Sequence, residues 1–173
     1  MLRPALCIVH CALCIALVIA KPVIASAEII DRVLAVVGGV VITQSDATAA
    51  HELGFVTIGP TDDPLATALA KLIDRQLMLT EVERYAPPDP PDEAVDRLLQ
   101  AVRTRFAVPA DYLAALARSG VDEARLRQIL RDQIRIDGYL DKRFTSESRA
   151  TLIEEWVNGL RRRTDITYLY VPR

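Results

Sequence analysis

Val33-Leu34-Ala35-Val36-Val37-Gly38-Gly39-Val40-Val41-Ile42-Thr43 sets two β-branched runs on either side of a pair of glycines. Branched side chains fit a pleated strand, and Gly-Gly permits the two-residue loop that needs positive φ at both positions. The stretch predicts a β-hairpin. Both of its faces are apolar, and a lone hairpin is marginal in water, so covering helices and one more strand are expected. Ile166-Thr167-Tyr168-Leu169-Tyr170-Val171, at the opposite end of the chain, supplies that strand. The two ends of the domain then meet in one small sheet.

Between these strands the chain reads as helix. Ser45 is the expected N-cap of the first helix, with Asp46 in its first turn and Gly54 as its stop. A turn-rich linker from Phe55 to Asp63 follows. Asp63 caps a second helix with Pro64 at its first position, and Leu65, Leu69, Leu72, Ile73, Leu77 and Val82 form its apolar stripe. Pro87, Pro88, Pro90 and Pro91 end it. Asp92 opens a third helix with Val95, Leu98, Leu99, Val102 and Phe106 on one face. A short helix from about Pro109 to Arg118 stops at Ser119-Gly120, and Asp122 caps a longer one running from Leu126 to Phe144 through Gly138. A last helix after Ser146 carries Leu152, Ile153, Trp156, Val157 and Leu160 and ends in Arg161-Arg162-Arg163, charges that suit a helix C-terminus. The predicted class is mainly α: a helical module with a small antiparallel sheet formed by the N-terminal hairpin and the C-terminal strand.

Residues 1–27 read as an export signal. Arg3 gives the positive start, Leu6 to Ala20 an apolar run broken by His10, and Ala25-Ser26-Ala27 a small-x-small cleavage site before Glu28. About 15 apolar residues fall short of the roughly 20 that a spanning helix needs. The expectation is cleavage after Ala27, a periplasmic protein and no stable membrane anchor afterwards. Cys7, Cys11 and Cys14 all lie in the signal, so residues 28–173 form a thiol-free single domain without internal repeats.

The formal net charge of −2 becomes more negative once Arg3 and Lys21 leave with the signal, which gives nucleic acid no general attraction. Residues 109–140 allow a helix-turn-helix pattern with Arg125, Arg127, Gln128 and Arg131 facing a groove, but the charge and the signal argue against it. Arg127, Arg131 and Arg135 recur every four residues and read as a solvated face balanced by Glu123, Asp132 and Asp137. Outside the signal the single histidine is His51, with no serine elbow beside it. One histidine without cysteine cannot supply the usual zinc ligands. Gly38-Gly39 is too short for a nucleotide loop. Asp62-Asp63, Asp89, Asp92-Glu93 and Glu154-Glu155 sit where caps and solvated faces explain them. No catalytic residue, metal site or cofactor is expected.

The stretch from Asp31 to Asp46 resembles the opening of the SurA-type periplasmic chaperones: a D-x-V-x-A-V-V strand, a tight turn, a V-I/L-x-x-S-D segment and then a helix. The resemblance continues through Leu72-Ile73-Asp74-Arg75-Gln76-Leu77-Met78-Leu79 and, more loosely, from Gly120 to Arg143, where Arg127, Ile134, Arg135 and Arg143 carry it. In that family one or two parvulin-type prolyl isomerase domains follow, and a closing helix and strand return to the N-terminal module. Here Phe144 leads straight to the closing helix and strand, residues 146–173. The resemblance implies a SurA N-terminal-like chaperone domain over residues 28–173, without the isomerase, that binds unfolded outer-membrane or secreted polypeptides in an apolar crevice without ATP. Phe106, Tyr112, Tyr139, Phe144 and Trp156 are the expected peptide-binding side chains, because aromatic surface grips apolar peptides without demanding one sequence. Ordinary core is the competing reading for each. The alternative function is an envelope scaffold or assembly partner that binds one dedicated protein, using a sheet edge for strand addition.

Overall fold

Gly38 and Gly39 sit at φ of 56° and 87°, the left-handed region that the two-residue hairpin loop requires. They join β1 (Val33–Val37) to β2 (Val40–Thr43). The structure is a computed structural model that describes residues 31–60 and 63–171. The export signal read over residues 1–27 lies outside the described residues, as does Asp62. β1 pairs antiparallel with β2 from Val37 opposite Val40 to Val33 opposite Thr43, with an irregularity between Val33 and Ala35. Its other side pairs antiparallel with β3 (Ile166–Tyr168), Val37 opposite Ile166 and Ala35 opposite Tyr168. The order is therefore β2-β1-β3. A mainly helical chain with a small three-stranded antiparallel sheet, built from an N-terminal hairpin and a C-terminal strand, is what the sequence predicts.

The last strand is shorter than the apolar run suggests. The N–H groups of Leu169 and Tyr170 both donate to the Leu34 carbonyl at 2.9 Å, where the β1 register shifts, and the ladder ends there. Val171 is exposed. Only one face of the hairpin is covered. Leu34, Ala35, Val37 and Ile42 are buried, while Val33, Val40 and Val41 meet solvent.

The cap of α1 (Gln44–Glu52) is Thr43 and not Ser45. β2 runs directly into the helix, so its last extended residue takes the capping position. The Asp46 N–H donates to the Thr43 hydroxyl, and the Thr43 N–H donates back to the Asp46 carboxylate at 2.9 Å, a reciprocal capping box. Ser45 instead donates its N–H and hydroxyl to Asp31. Gly54 at φ 73° ends the helix as expected. Asp63 caps α2 (Pro64–Arg84) by accepting the Ala66 N–H at 2.8 Å, and Leu69, Ile73, Leu77 and Val82 are buried along it. α3 (Asp92–Arg103), α4 (Pro109–Ser119), α5 (Glu123–Arg143) and α6 (Arg149–Arg163) follow. Gly120 closes α4 at φ 65°, Asp122 caps α5, and α5 passes through Gly138 unbroken.

Three apolar clusters hold these elements. Leu34, Val37, Ile42, Ile73, Leu77 and Leu160 join the sheet to α2 and α6. Leu53, Val95, Leu99, Val102, Leu126 and Leu130 join α1, α3 and α5. Leu79, Val82, Ile136 and Leu140 join α2 to α5. Each fully buried side chain of this size contributes about 1.5–3 kcal/mol relative to exposure. Phe55 packs against both the first and the second cluster, and Trp156 against the first and the third. Of the α6 stripe, Val157 and Leu160 are buried while Leu152 is exposed.

The arginine face of α5 is balanced partly within its own helix and partly by α3. Arg127 meets Asp96 at 2.6 Å and Arg131 meets Asp92 at 3.2 Å, both on α3. The expected same-helix pairs form at 3.9 Å for Arg127 with Glu123 and for Arg135 with Asp132. Helix-to-helix pairing accounts for two of the four side chains that the helix-turn-helix pattern would have placed in a groove.

Candidate functional site

α1 leaves β2 without a loop, and the turn at Gly54 sends Phe55 and Val56 back beneath it. Together with α2 and α5 these segments enclose a crevice of about 400 Å³. Its apolar walls come from Val41 and Ile42 of β2, Phe55 of the linker, Leu72 and Met78 of α2, and Ile129 of α5. The stripe on α2 and the caps at Thr43 and Asp63 are the local signals that fix these walls in place.

The polar lining is mostly cationic. Lys71, Arg75, Arg105 and Arg125 reach the crevice, against the single carboxylate of Asp46, which is occupied by the Thr43 capping box. Lys71 Nζ donates to the Thr57 carbonyl at 2.5 Å, and Arg75 Nη2 to the Ile129 carbonyl at 3.0 Å. Arg105 Nη1 donates to the carbonyls of Leu53 and Gly54 at 2.8 and 2.9 Å. Among the described residues none of these four cations is in an ion pair, although most other arginines of the helices are. Burial pulls the Arg75 guanidinium below its ordinary value; Asp132 opposes that shift and the neighbouring Arg125 adds to it. It stays charged at any physiological pH.

The five aromatic residues expected from the sequence lie elsewhere, in two groups. Phe106 and Tyr112 line a second hollow, of about 550 Å³, with Arg103, Leu113 and Glu123. Their rings meet edge to face with centroids 5.7 Å apart, and the Arg103 guanidinium lies 5.5 Å from the Tyr112 ring centroid. Tyr112 is only 5% exposed and belongs to the core. Phe106 lies beyond the end of α3 and packs back on the same cluster.

Tyr139, Phe144 and Trp156 form the other group. Trp156 sits 5.7 Å from Tyr139 and 5.6 Å from Phe144, and the Arg143 guanidinium lies within 6.0 Å of all three ring centroids. Tyr85, which sequence reasoning left out, completes the row at 5.2 Å from Tyr139 and is 58% exposed. Its spacing of four and seven residues from Glu81 and Met78 hid it less than its place beyond the end of α2. All three side chains of the group are half-buried.

His51 is exposed on α1. Among the described residues no three His, Cys, Asp or Glu side chains gather as a metal-binding group, and no helix is long and apolar enough to cross a membrane. No family model matches the chain, and no curated protein is significantly similar to it.

Proposed function

We propose that this chain is a chaperone-type module, akin to the N-terminal domain of the SurA-type chaperones, that holds unfolded or extended polypeptides by binding alone. Its clients on this reading are outer-membrane or secreted proteins met in the periplasm, and neither ATP nor a catalytic step is involved. The observation that carries the reading is the crevice, whose apolar walls open beside β2, an edge strand of the sheet. A concave apolar surface next to an unpaired strand edge suits an extended chain, which offers side chains to the walls and backbone groups to the edge. The row of Tyr85, Tyr139, Trp156 and Phe144 adds a second apolar grip of the kind that tolerates many sequences.

The test is light scattering of an unfolded outer-membrane protein diluted into buffer with and without this protein, nucleotide being absent. Suppression of aggregation near a stoichiometric ratio is the expected result. No suppression by a folded sample would overturn the reading.

One observation favours a second reading, a scaffold that binds a dedicated partner. Tyr168 and Leu169 are exposed at the other edge of the sheet, on β3 and just beyond it. Strand addition there would serve one partner, and capture of a single folded envelope protein without general aggregation suppression would select it.

A further inference from the structure

The cations of the crevice are what a purely apolar polypeptide-binding surface does not need. The protein as a whole is acidic, with a formal net charge of −2, yet four basic side chains converge here on one carboxylate that is already in use. Among the described residues most other helix arginines are matched to acids, among them Arg103 to Glu123, Arg118 to Glu52, Arg127 to Asp96, Arg149 to Asp141 and Arg161 to Asp74. Arg75 is partly buried, with Asp132 and Asp137 offsetting only part of its desolvation, while Lys71, Arg105 and Arg125 stand exposed around it without ion pairs to any described residue, and low-dielectric walls concentrate the field of such a group on whatever enters.

We infer that the crevice takes an extended polypeptide segment whose apolar side chains alternate with acidic ones, the acids meeting Lys71, Arg75, Arg105 and Arg125. This rests on the polypeptide-binding function proposed above and names the class of segment it selects. Two features favour a polypeptide over a small or lipid anion. A two-residue loop closes on a hydrogen-bonded pair, here Val37 and Val40, so Val41 opposite Val36 turns its N–H and C=O away from β1. Val41 is 48% exposed and lines the crevice, so a backbone donor and acceptor stand beside the cations, and only a peptide uses both. The spacing also fits. Lys71 and Arg75 lie one helical turn apart, about 6 Å along α2, and alternate side chains of an extended strand are spaced by about 6.6 Å.

The test is fluorescence anisotropy with labelled peptides whose ends are both blocked, one alternating Val with Glu and the other Val with Gln, titrated with the full chain. The Glu peptide is expected to bind about tenfold more tightly at low salt, and the gap to close as salt is added. Arg75→Gln and Lys71→Gln should each shrink the preference to about threefold or less. Lys71 is exposed and its variant leaves the partly buried bond from Arg75 to Ile129 in place, so it serves if Arg75→Gln misfolds. Arg131→Gln, which breaks a pair with Asp92 outside the crevice, should leave the preference intact. Equal binding of the two peptides, or binding of neither, would overturn the inference. So would a Val–Gln peptide with a free carboxyl terminus that binds as tightly as the Glu peptide, since the chain end would then be the ligand. In each of those cases aggregation suppression tells the two ideas apart: if it persists, only the acidic preference fails, and if it is absent, the proposed function fails with it.

Discussion

Arg161 Nε lies 2.6 Å from Asp74 Oδ1, a bond that ties α6 to α2 across 87 residues of chain. Arg161 Nη2 also donates to the Ala70 carbonyl at 3.3 Å, and the bond to Asp74 raises the guanidinium pKa above its ordinary value. Both side chains are about a third exposed, 31% and 32%, so water and salt discount the pair. Arg161→Ala should therefore cost about 1 kcal/mol in urea unfolding. Arg161→Lys should restore only part of it, because an ammonium cannot serve the carboxylate and the carbonyl with a rigid fork.

Gly38→Val is expected to destabilise by about 1–2 kcal/mol or more, the cost of left-handed backbone for a branched residue. Its Cβ would also stand 3.4 Å from Thr164 Cγ2. Thermal unfolding of the variant beside wild type checks this; an unchanged midpoint would mean that the hairpin does not depend on the turn.

Gly54→Ala should act on stability and on the crevice together. At φ 73° the residue resists any side chain, and a Cβ there would lie 2.5 Å from Arg105 Nη1. The guanidinium must leave the carbonyls of Leu53 and Gly54. Loss of about 1 kcal/mol, accompanied by weaker binding of the acidic peptide, is the expected pair of results.

Removing residues 166–171 should lower the melting midpoint of the whole domain. It strips one edge of β1 and also takes Tyr170, whose hydroxyl donates to Asp63, the cap of α2, at 2.8 Å. Tyr170→Phe isolates the second effect and should cost about 1 kcal/mol. Truncation without thermal consequence would refute the role given to β3.

The pair between Glu52 on α1 and Arg118 on α4 sets a pH dependence. Its hydrogen bond to Arg118 holds the Glu52 carboxyl below its ordinary pKa. A depressed carboxylate contributes stability that is present above its unfolded pKa and lost as pH falls through the folded one. Glu52→Gln should thus be less stable than wild type near neutrality, by a small margin because the pair is exposed, and the two should converge in acid. Unfolding midpoints measured from pH 7 down to about 3 would show whether they do.

Features that depend on near neighbours were legible in the sequence. The glycine turn, the Asp63-Pro64 start, the Gly54 and Gly120 stops and the α2 stripe each rest on one short segment, and all stand where they were read. Thr43 was missed because Thr43 and Ser45 are both good caps, and only the end of β2 chooses between them. The pairing of Arg127 and Arg131 with α3 was hidden because helical spacing names same-helix partners and is silent on the neighbouring helix. The crevice was illegible for the same reason. Its cations come from α2, from the loop after α3 and from α5, and nothing in their sequence positions announces that they meet. Aromatic content pointed to Phe106 and Tyr112 beside Tyr139, Phe144 and Trp156, but packing separates the first two from the last three.

The middle strand of the sheet has one neighbour supplied by the next residues and the other by the far end of the chain. The hairpin and each helix can organise from local contacts while the polypeptide is still emerging, but the second edge of β1 has nothing to pair with until Ile166–Tyr168 arrives. Closing so long a loop is the slow kind of step in folding. Until it happens, Leu34 and its neighbours present an open, branched edge of the kind that associates with other strands. Without β3 the middle strand keeps one open edge, the same unpaired-strand feature that the proposed function attributes to clients.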